Sequence, residues 1–352
     1  MPVIASVATS VPSLIYTQEH AKQFAKDFFA EALQKKLNRL LPVFENSRID
    51  QRYLIVPLEW HYRRPNFKDR NALFLDNFVK LGKESITNCL QQVKMRPEEI
   101  DHILFVTTTG IVPQGFIAHF YAEVGLRPDC RSSMIWGQGC AGGAGAVARA
   151  ADIARAYPEG KILVYCMESS SLIYSLAEDL SSEHLIQVSL FGDGAAAVLV
   201  VGDSVAIDGP HILSSKTSFV PDTAELVRFQ AGIHGIEGFI SRQLPSAVYE
   251  NIEELVSGFL SEQGLSVRDV QHLIVHPGGR KILEAIEERL QLSSDQLVHS
   301  WEVLRTHGNT LSSSVLFVLE REMADQHGSG ELGLMVALGP GLACEQVLLQ
   351  WN

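Results

Sequence analysis

Two eight-residue segments lie 170 residues apart and follow one plan. Pro97-Glu98-Glu99-Ile100-Asp101-His102-Ile103-Leu104 reads as the end of a helix, a polar turn and a buried strand. Val267-Arg268-Asp269-Val270-Gln271-His272-Leu273-Ile274 reads the same way. The offset is close to half of the 352 residues, so the chain is read as two copies of one α/β unit. The same offset carries Cys140 to within one residue of Asn309. Both stand in glycine-containing turns followed by helix-like runs, GCAGGAGAVARAADIARA and GNTLSSSVLFVLEREM. Two such units facing each other bring two helix N-termini together at the centre.

The rest of the pattern agrees with a layered α/β body. Residues 17–41 have the spacing of an amphipathic helix, with Phe24, Phe28, Leu33, Leu37 and Leu40 on one side and Thr17 as N-cap. Asp76 to Val93 is also helical in spacing. Short apolar runs at Ile103–Thr107, Ile162–Met167, Ala195–Val201, His272–His276, Leu332–Leu338 and Gln346–Trp351 are expected to be buried, largely parallel strands. The opening MPVIASVATSVP lacks a basic flank and is read as a first buried strand, not a signal peptide. No apolar run is long enough to span a membrane, so no membrane is expected as a partner.

Charge and cysteine usage narrow the function. A net charge of −12 disfavours nucleic acid as a partner. The charge is uneven, since residues 1–70 hold 11 Lys and Arg against 7 Asp and Glu. That basic segment is either a solvated helix face or a surface for a small polyanion. Five scattered cysteines without a CxxC pair argue against both a disulfide framework and a zinc site. No metal and no cofactor are expected, and a reducing cytoplasm fits.

Three residues can carry chemistry. Cys140 in WGQGCAGGAGAV is flanked by glycines that permit a sharp turn into a helix. A helix N-terminus favours a thiolate and offers N–H groups to an oxyanion. His276 ends a strand and enters HPGGRKIL, where α/β ligand sites form. Asn309 in THGNTLSSS is by itself an ordinary turn residue. Together they suit acyl transfer followed by carbon–carbon bond formation. A thiolate takes the acyl group. Loss of CO2 from a malonyl thioester supplies a carbanion, and the enolate oxygen needs neutral donors. An imidazole N–H and a carboxamide NH2 are such donors.

Taken with LFGDGAAAV at Leu190–Val198, HGNTLSSSVLF and LGPGLACE at Leu338–Glu345, these motifs resemble the type III polyketide synthases. These are the chalcone synthase-like branch of the thiolase superfamily. The resemblance implies a thiolase-like, five-layered αβαβα fold with two pseudo-duplicated halves. Residues 1–203 would carry Cys140, and residues 204–352 would carry His276 and Asn309. It implies a homodimer that uses acyl-CoA and malonyl-CoA as substrates. Cys140 would be nucleophile and acyl carrier, with His276 and Asn309 driving decarboxylation. Phe191 would stand at the junction of tunnel and cavity, and Gly339, Pro340 and Gly341 would line the cavity. Arg39 would grip CoA, while Pro42 and Asn46 replace two basic residues, for which Arg48 and Arg52 are candidate substitutes. Gly238 falls where a second gatekeeper phenylalanine is expected, and Leu311 where plant enzymes carry a small hydroxyl residue. The stretch VFENSRIDQRYLIVPLEW is similar to bacterial synthases of alkylpyrones or alkylresorcinols. Two other readings stay open: a single condensation on acyl carrier protein, as in ketoacyl synthase III, and a non-catalytic acyl-binding scaffold.

Overall fold

The computed structural model describes residues 1–174, 182–232, 235–293 and 295–352. In chain order the described strands are β1 Val3–Ser10, β2 Leu14–Thr17, β3 Gln51–Leu54, β4 His102–Thr107, β5 Arg131–Trp136, β6 Lys161–Ser169 and β7 Asp193–Val201. They continue with β8 His211–Phe219, β9 Val227–Gly232, β10 Gly235–Ile240, β11 His272–Val275, β12 Leu332–Gly339 and β13 Ala343–Gln350. The longer helices are α1 Gln18–Phe28, α2 Phe67–Gln92, α3 Gln114–Val124, α4 Gly142–Ala156, α5 Ser182–Leu190, α6 Leu244–Glu262, α7 Arg280–Arg289, α8 Val298–His307 and α9 Ser314–Ala324.

The duplication is visible in the sheet. Nine strands run in the order β11-β12-β13-β8-β1-β7-β6-β4-β5. Read outward from the β1–β8 junction at Val3 and His211, the two arms match. On one arm β1, β7, β6 and β4 follow each other; on the other, β8, β13, β12 and β11. The pairing sense matches as well: β4–β6 and β11–β12 are parallel, while β6–β7 and β12–β13 are antiparallel. The two eight-residue segments match in detail. Glu99 accepts from the Arg96 N–H at 2.9 Å, and Asp269 from the Ser266 N–H at 2.8 Å. Each carboxylate caps a turn whose end enters the sheet.

Apolar patterning sorts these elements into five layers. Helices α2 and α3 cover the outer face of β4, β6 and β7 through Phe78, Phe105, Phe120 and Tyr165. Helices α6 and α7 cover the outer face of the other arm through Val256, Phe259, Leu283 and Ile286. Between the arms lie α4 and α9, buried among residues of both sheets. The alanine- and glycine-rich sequence of α4 is what permits this, because small side chains let a helix approach sheets on both sides. Gly143 is the tightest point: a Cβ there would lie 2.2 Å from the Ser312 carbonyl oxygen.

Two expectations are corrected. The sheet is mixed, with three parallel pairs (β4–β5, β4–β6, β11–β12) and five antiparallel ones. Continuous apolar runs arise from burial on both faces, and β7 is buried along its whole length although both its neighbours run antiparallel to it. Residues 17–41 do not form one helix. Thr17 does cap α1, accepting from the His20 N–H, but α1 ends at Phe28. Short turns follow, interrupted at Gln34 with φ 42°. Phe24, Leu33 and Leu37 still point into a cluster with Leu185, Val188, Phe191 and Leu311, against which Cys140 packs. The broken segment therefore packs behind Phe191 and Leu311, which line the central cavity.

Candidate active site

Cys140, His276 and Asn309 line one cavity, whose volume is about 790 Å³ with its mouth included. Each arrives at the end of a sheet strand or the start of a central helix. Cys140 sits in a single turn of 3-10 helix, Gly139–Ala141, that runs into α4. Gly139 takes φ +51°, and its N–H donates to the Thr108 hydroxyl at 2.9 Å, which ties the turn to the end of β4. Asn309 occupies the equivalent place before α9, in front of the turn Leu311–Ser313. The close approach at Gly143 sets these two turns side by side.

The carboxamide of Asn309 is held in one orientation. Its Oδ1 accepts the Leu311 N–H at 2.8 Å, so its NH2 faces the other way. Nδ2 lies 3.8 Å from Cys140 Sγ and donates to the Gly278 carbonyl at 3.2 Å. The backbone of Asn309 is fixed too: its N–H donates to the Leu190 carbonyl, and its own carbonyl accepts from Gly192. His276 follows β11 directly, and its N–H donates to the Val336 carbonyl. It is buried, and neither ring nitrogen has a partner among the described residues. Burial pushes its pKa down to about 3, so the imidazole is neutral.

Of the five free cysteines, Cys140 alone is not fully buried. The thiol is nevertheless pushed up to about 12, by burial first, with the Asn309 hydrogen bond opposing and the charge of Glu168 adding. The resting pair is a thiol and a neutral imidazole, which corrects the expectation of a standing thiolate. Desolvation deep in the cavity outweighs the helix N-terminus. Such a site can release a proton from sulfur to imidazole as an acyl thioester arrives. Once the departing thiolate has taken that proton from the imidazolium, the neutral imidazole and the carboxamide offer two N–H donors to an oxyanion.

The remaining sequence candidates divide. Phe191, Gly238, Leu311 and Gly339 line the cavity. Pro340 and Gly341 are not among the lining residues; Pro340 instead packs beneath Gly139, and Gly341 supplies a φ of +67° to the turn. Arg39 is exposed. Arg48 stacks over Trp301 at 4.5 Å and reaches Glu284. Arg52 is 1% exposed and donates to the carbonyls of Val188, Ser189 and Phe191, so it is no candidate for an incoming phosphate. Its role is to hold the chain around Phe191.

Two residues were missed. An aromatic ring does stand beside Gly238, but it comes from Phe229, its cross-strand partner on β9, which lines the cavity. A Cβ on Gly238 would lie 3.0 Å from that ring. Glu168, at the end of β6, is fully buried and accepts from Thr107, Thr108, Thr109 and Ser312. It joins the end of β4 to the Asn309 turn, and burial raises its pKa to about 7. The signal for Glu168 was a single charge closing an apolar strand in LVYCMES; Phe229 gave none.

Buried ionisable groups fix an acid response. Burial pushes His61 and His276 down to about 3 and His307 to about 4. Below about pH 6.5 these imidazoles bind protons only in the unfolded chain, so stability present above that pH is lost on acidification. Glu168 and Asp193, raised by burial to about 7 and about 6, act in the opposite sense and lose stability as pH rises. Three imidazoles against two carboxyls leave a net loss. The thermal midpoint is expected to fall as pH is lowered from about 6 towards 4, and His61→Phe should flatten that limb. A midpoint that rises throughout this range would contradict the assignment.

The model for chalcone and stilbene synthases, N-terminal domain, matches residues 2–204, and the one for the C-terminal domain matches residues 211–351. The chain belongs to the chalcone and stilbene synthase family. A relative named putative chalcone synthase, from Bacillus subtilis (strain 168), is 32% identical and is covered over 99% of its length by 100% of this chain. The 1,3,6,8-tetrahydroxynaphthalene synthase of Streptomyces peucetius subsp. caesius is 30% identical, over 99% of this chain and 93% of that one. An alpha-pyrone synthesis polyketide synthase-like protein of Mycobacterium tuberculosis is also 30% identical, over 98% and 90%. Among solved structures, 1,3,6,8-tetrahydroxynaphthalene synthase from Streptomyces coelicolor A3(2), a bacterial type III polyketide synthase, superimposes with a TM-score of 0.93. It is 27% identical, and 99% of each chain is covered. For this chalcone and stilbene synthase family member the five-layered, thiolase-like fold is therefore the family's fold.

Proposed function

We propose that this chain is a type III polyketide synthase that condenses an acyl-CoA starter with malonyl-CoA by decarboxylative Claisen chemistry. The observation that carries the reading is the convergence of Cys140, His276 and Asn309 on one cavity, with the carboxamide NH2 turned toward the sulfur. Cys140 gives its proton to His276 and attacks the thioester carbonyl; the C–S bond to CoA breaks, and the CoA thiolate takes the proton from His276 and leaves as the free thiol. Malonyl-CoA then loses CO2, and its enolate oxygen is held by His276 and Asn309. The carbanion attacks the acyl carbonyl, and the lengthened chain leaves as a CoA thioester that returns to Cys140 or cyclises. Incubating the protein with a panel of acyl-CoAs plus malonyl-CoA, followed by mass spectrometry, tests this. Pyrone or resorcinol masses are expected. No malonyl-CoA consumption, or condensation only on acyl carrier protein, would overturn it.

The starter is proposed to be a medium- or long-chain fatty acyl-CoA. Beyond His276 the cavity is lined by Leu244 and Val248 of α6, Ile282 and Ile286 of α7, Val275 and Val336. This apolar end leads into the outer core of the second arm and suits a flexible alkyl chain. The neighbourhood of Gly238 offers no such room, since the Phe229 ring stands against it. Each buried methylene contributes about 0.8 kcal/mol, so kcat/KM should rise about fourfold per methylene until the channel ends. Val248→Phe is expected to shorten the preferred chain and leave short starters unaffected. An unchanged chain-length profile would move the alkyl site elsewhere.

A homodimer is part of the proposal. Its support is the edge strand β5, where Met134 and Trp136 are exposed large apolar residues, with the exposed Ile111 next to Gly110, whose carbonyl accepts from the Trp136 indole. An exposed apolar edge of this kind calls for a covering partner. No helix of the described residues is long and apolar enough to cross a membrane.

A further inference from the structure

We propose that His272, His327 and Glu331 form a binding site for one divalent first-row transition-metal ion, at the end of β11 opposite the catalytic cavity. His272 is the first residue of β11, and His276 follows its last. Four residues of strand put the two about 13 Å apart. His327 and Glu331 lie between α9 and β12.

The tautomers carry the argument. His272 Nδ1 lies 2.8 Å from the carboxylate of the buried Glu322, so that nitrogen holds the proton. The lone pair is then on Nε2. His327 Nε2 lies 2.7 Å from the Glu322 backbone carbonyl, which can only accept, so its free lone pair is on Nδ1. These two free nitrogens face each other at 3.4 Å, and Glu331 Oε2 stands 2.8 Å from His272 Nε2. The three ligand atoms lie within 4.8 Å of one another. Two lone pairs facing at 3.4 Å repel unless a proton or a cation lies between them. A tetrahedral ion with bonds of about 2.0–2.1 Å separates its nitrogen ligands by about 3.4 Å.

The surroundings fit an ion as well. A carboxylate or carbonyl behind each imidazole is the arrangement that orients metal-ligating histidines. Trp351 packs on both rings, at 4.2 Å from His327 and 4.9 Å from His272, and shields one side. Gly333 makes room for it, since a Cβ there would meet the indole at 2.3 Å. Glu331 is partly exposed and leaves an entry path and a place for water as fourth ligand. Glu322, Asp325 and Glu331 gather here with His299 on Asp325, and among the described residues none of these carboxylates is paired with Lys or Arg. Two imidazoles and a carboxylate suit zinc, and zinc is the probe.

The test uses metal-stripped full-length protein. Calorimetric titration with Zn²⁺ is expected to show one saturable site outside the cysteines. Co²⁺ should give ligand-field absorption without a thiolate charge-transfer band, and Zn²⁺ should raise the thermal midpoint. Glu331→Gln and His327→Gln should each weaken binding about tenfold or more and remove the stabilisation. Glu331→Gln keeps its place at the surface, so it decides the matter if His327→Gln does not fold. The absence of saturable binding would overturn the proposal. So would a thiolate band or affinity unchanged in Glu331→Gln.

Discussion

Cys140→Ala is expected to abolish product formation, by on the order of 10⁴-fold or more, while leaving the circular dichroism spectrum unchanged. The thiol is the cavity's nucleophile candidate, and its only side-chain partner among the described residues is the distant Asn309 carboxamide. Losing one sulfur therefore removes little packing and no strong hydrogen bond. Intact-mass measurement after mixing with acyl-CoA separates the steps: the wild-type chain should gain the acyl mass and the variant should not. Continued condensation by Cys140→Ala would refute covalent catalysis at this position, and acylation at another cysteine would relocate it.

The second large effect belongs to Asn309. Asn309→Ala should still be acylated on Cys140, yet its malonyl-CoA decarboxylation should fall about 100–1000-fold, the usual loss for one preorganised oxyanion donor. Asn309→Asp sharpens the test. It keeps the shape and the acceptor that holds the Leu311 N–H, but it replaces the NH2 near Cys140 with a second oxygen. A carboxylate there repels both the malonyl carboxylate and the enolate, so this variant should be at least as impaired. Normal CO2 release by either variant would remove Asn309 from the mechanism.

What could be read from the sequence follows from how locally each feature is encoded. The duplication was legible because a capped turn and a strand entry are written within eight consecutive residues, twice. Cys140, His276 and Asn309 were legible because each stands in a glycine-bearing turn at the mouth of a strand or helix. Strand direction was not, because β7 between two antiparallel neighbours is as apolar as any parallel strand. Phe229 escaped because β9 is half-exposed and carries no apolar run; only its pairing with Gly238 gives it a role. Arg52 read as a surface cation, yet its charge is spent inside on three carbonyls. The three proposed metal ligands were invisible for a similar reason. His272 is separated from His327 and Glu331 by all of α7, α8 and α9, so no spacing motif links them.

Gly143 gives the site a property of its own. The sulfur stands before α4 and the carboxamide before α9, and the gap between them is set by a methyl group that is missing at Gly143. The reacting centre is thus a seam, not a pocket cut into either half. Each half can hold its own sheet and helices in perfect order and still be inert. Productive chemistry depends on a tolerance of about 1 Å in how the two are seated, since an error of that size costs about 100-fold in rate. Fold stability and catalytic competence are therefore separable quantities in this molecule, and the first can survive intact where the second is gone.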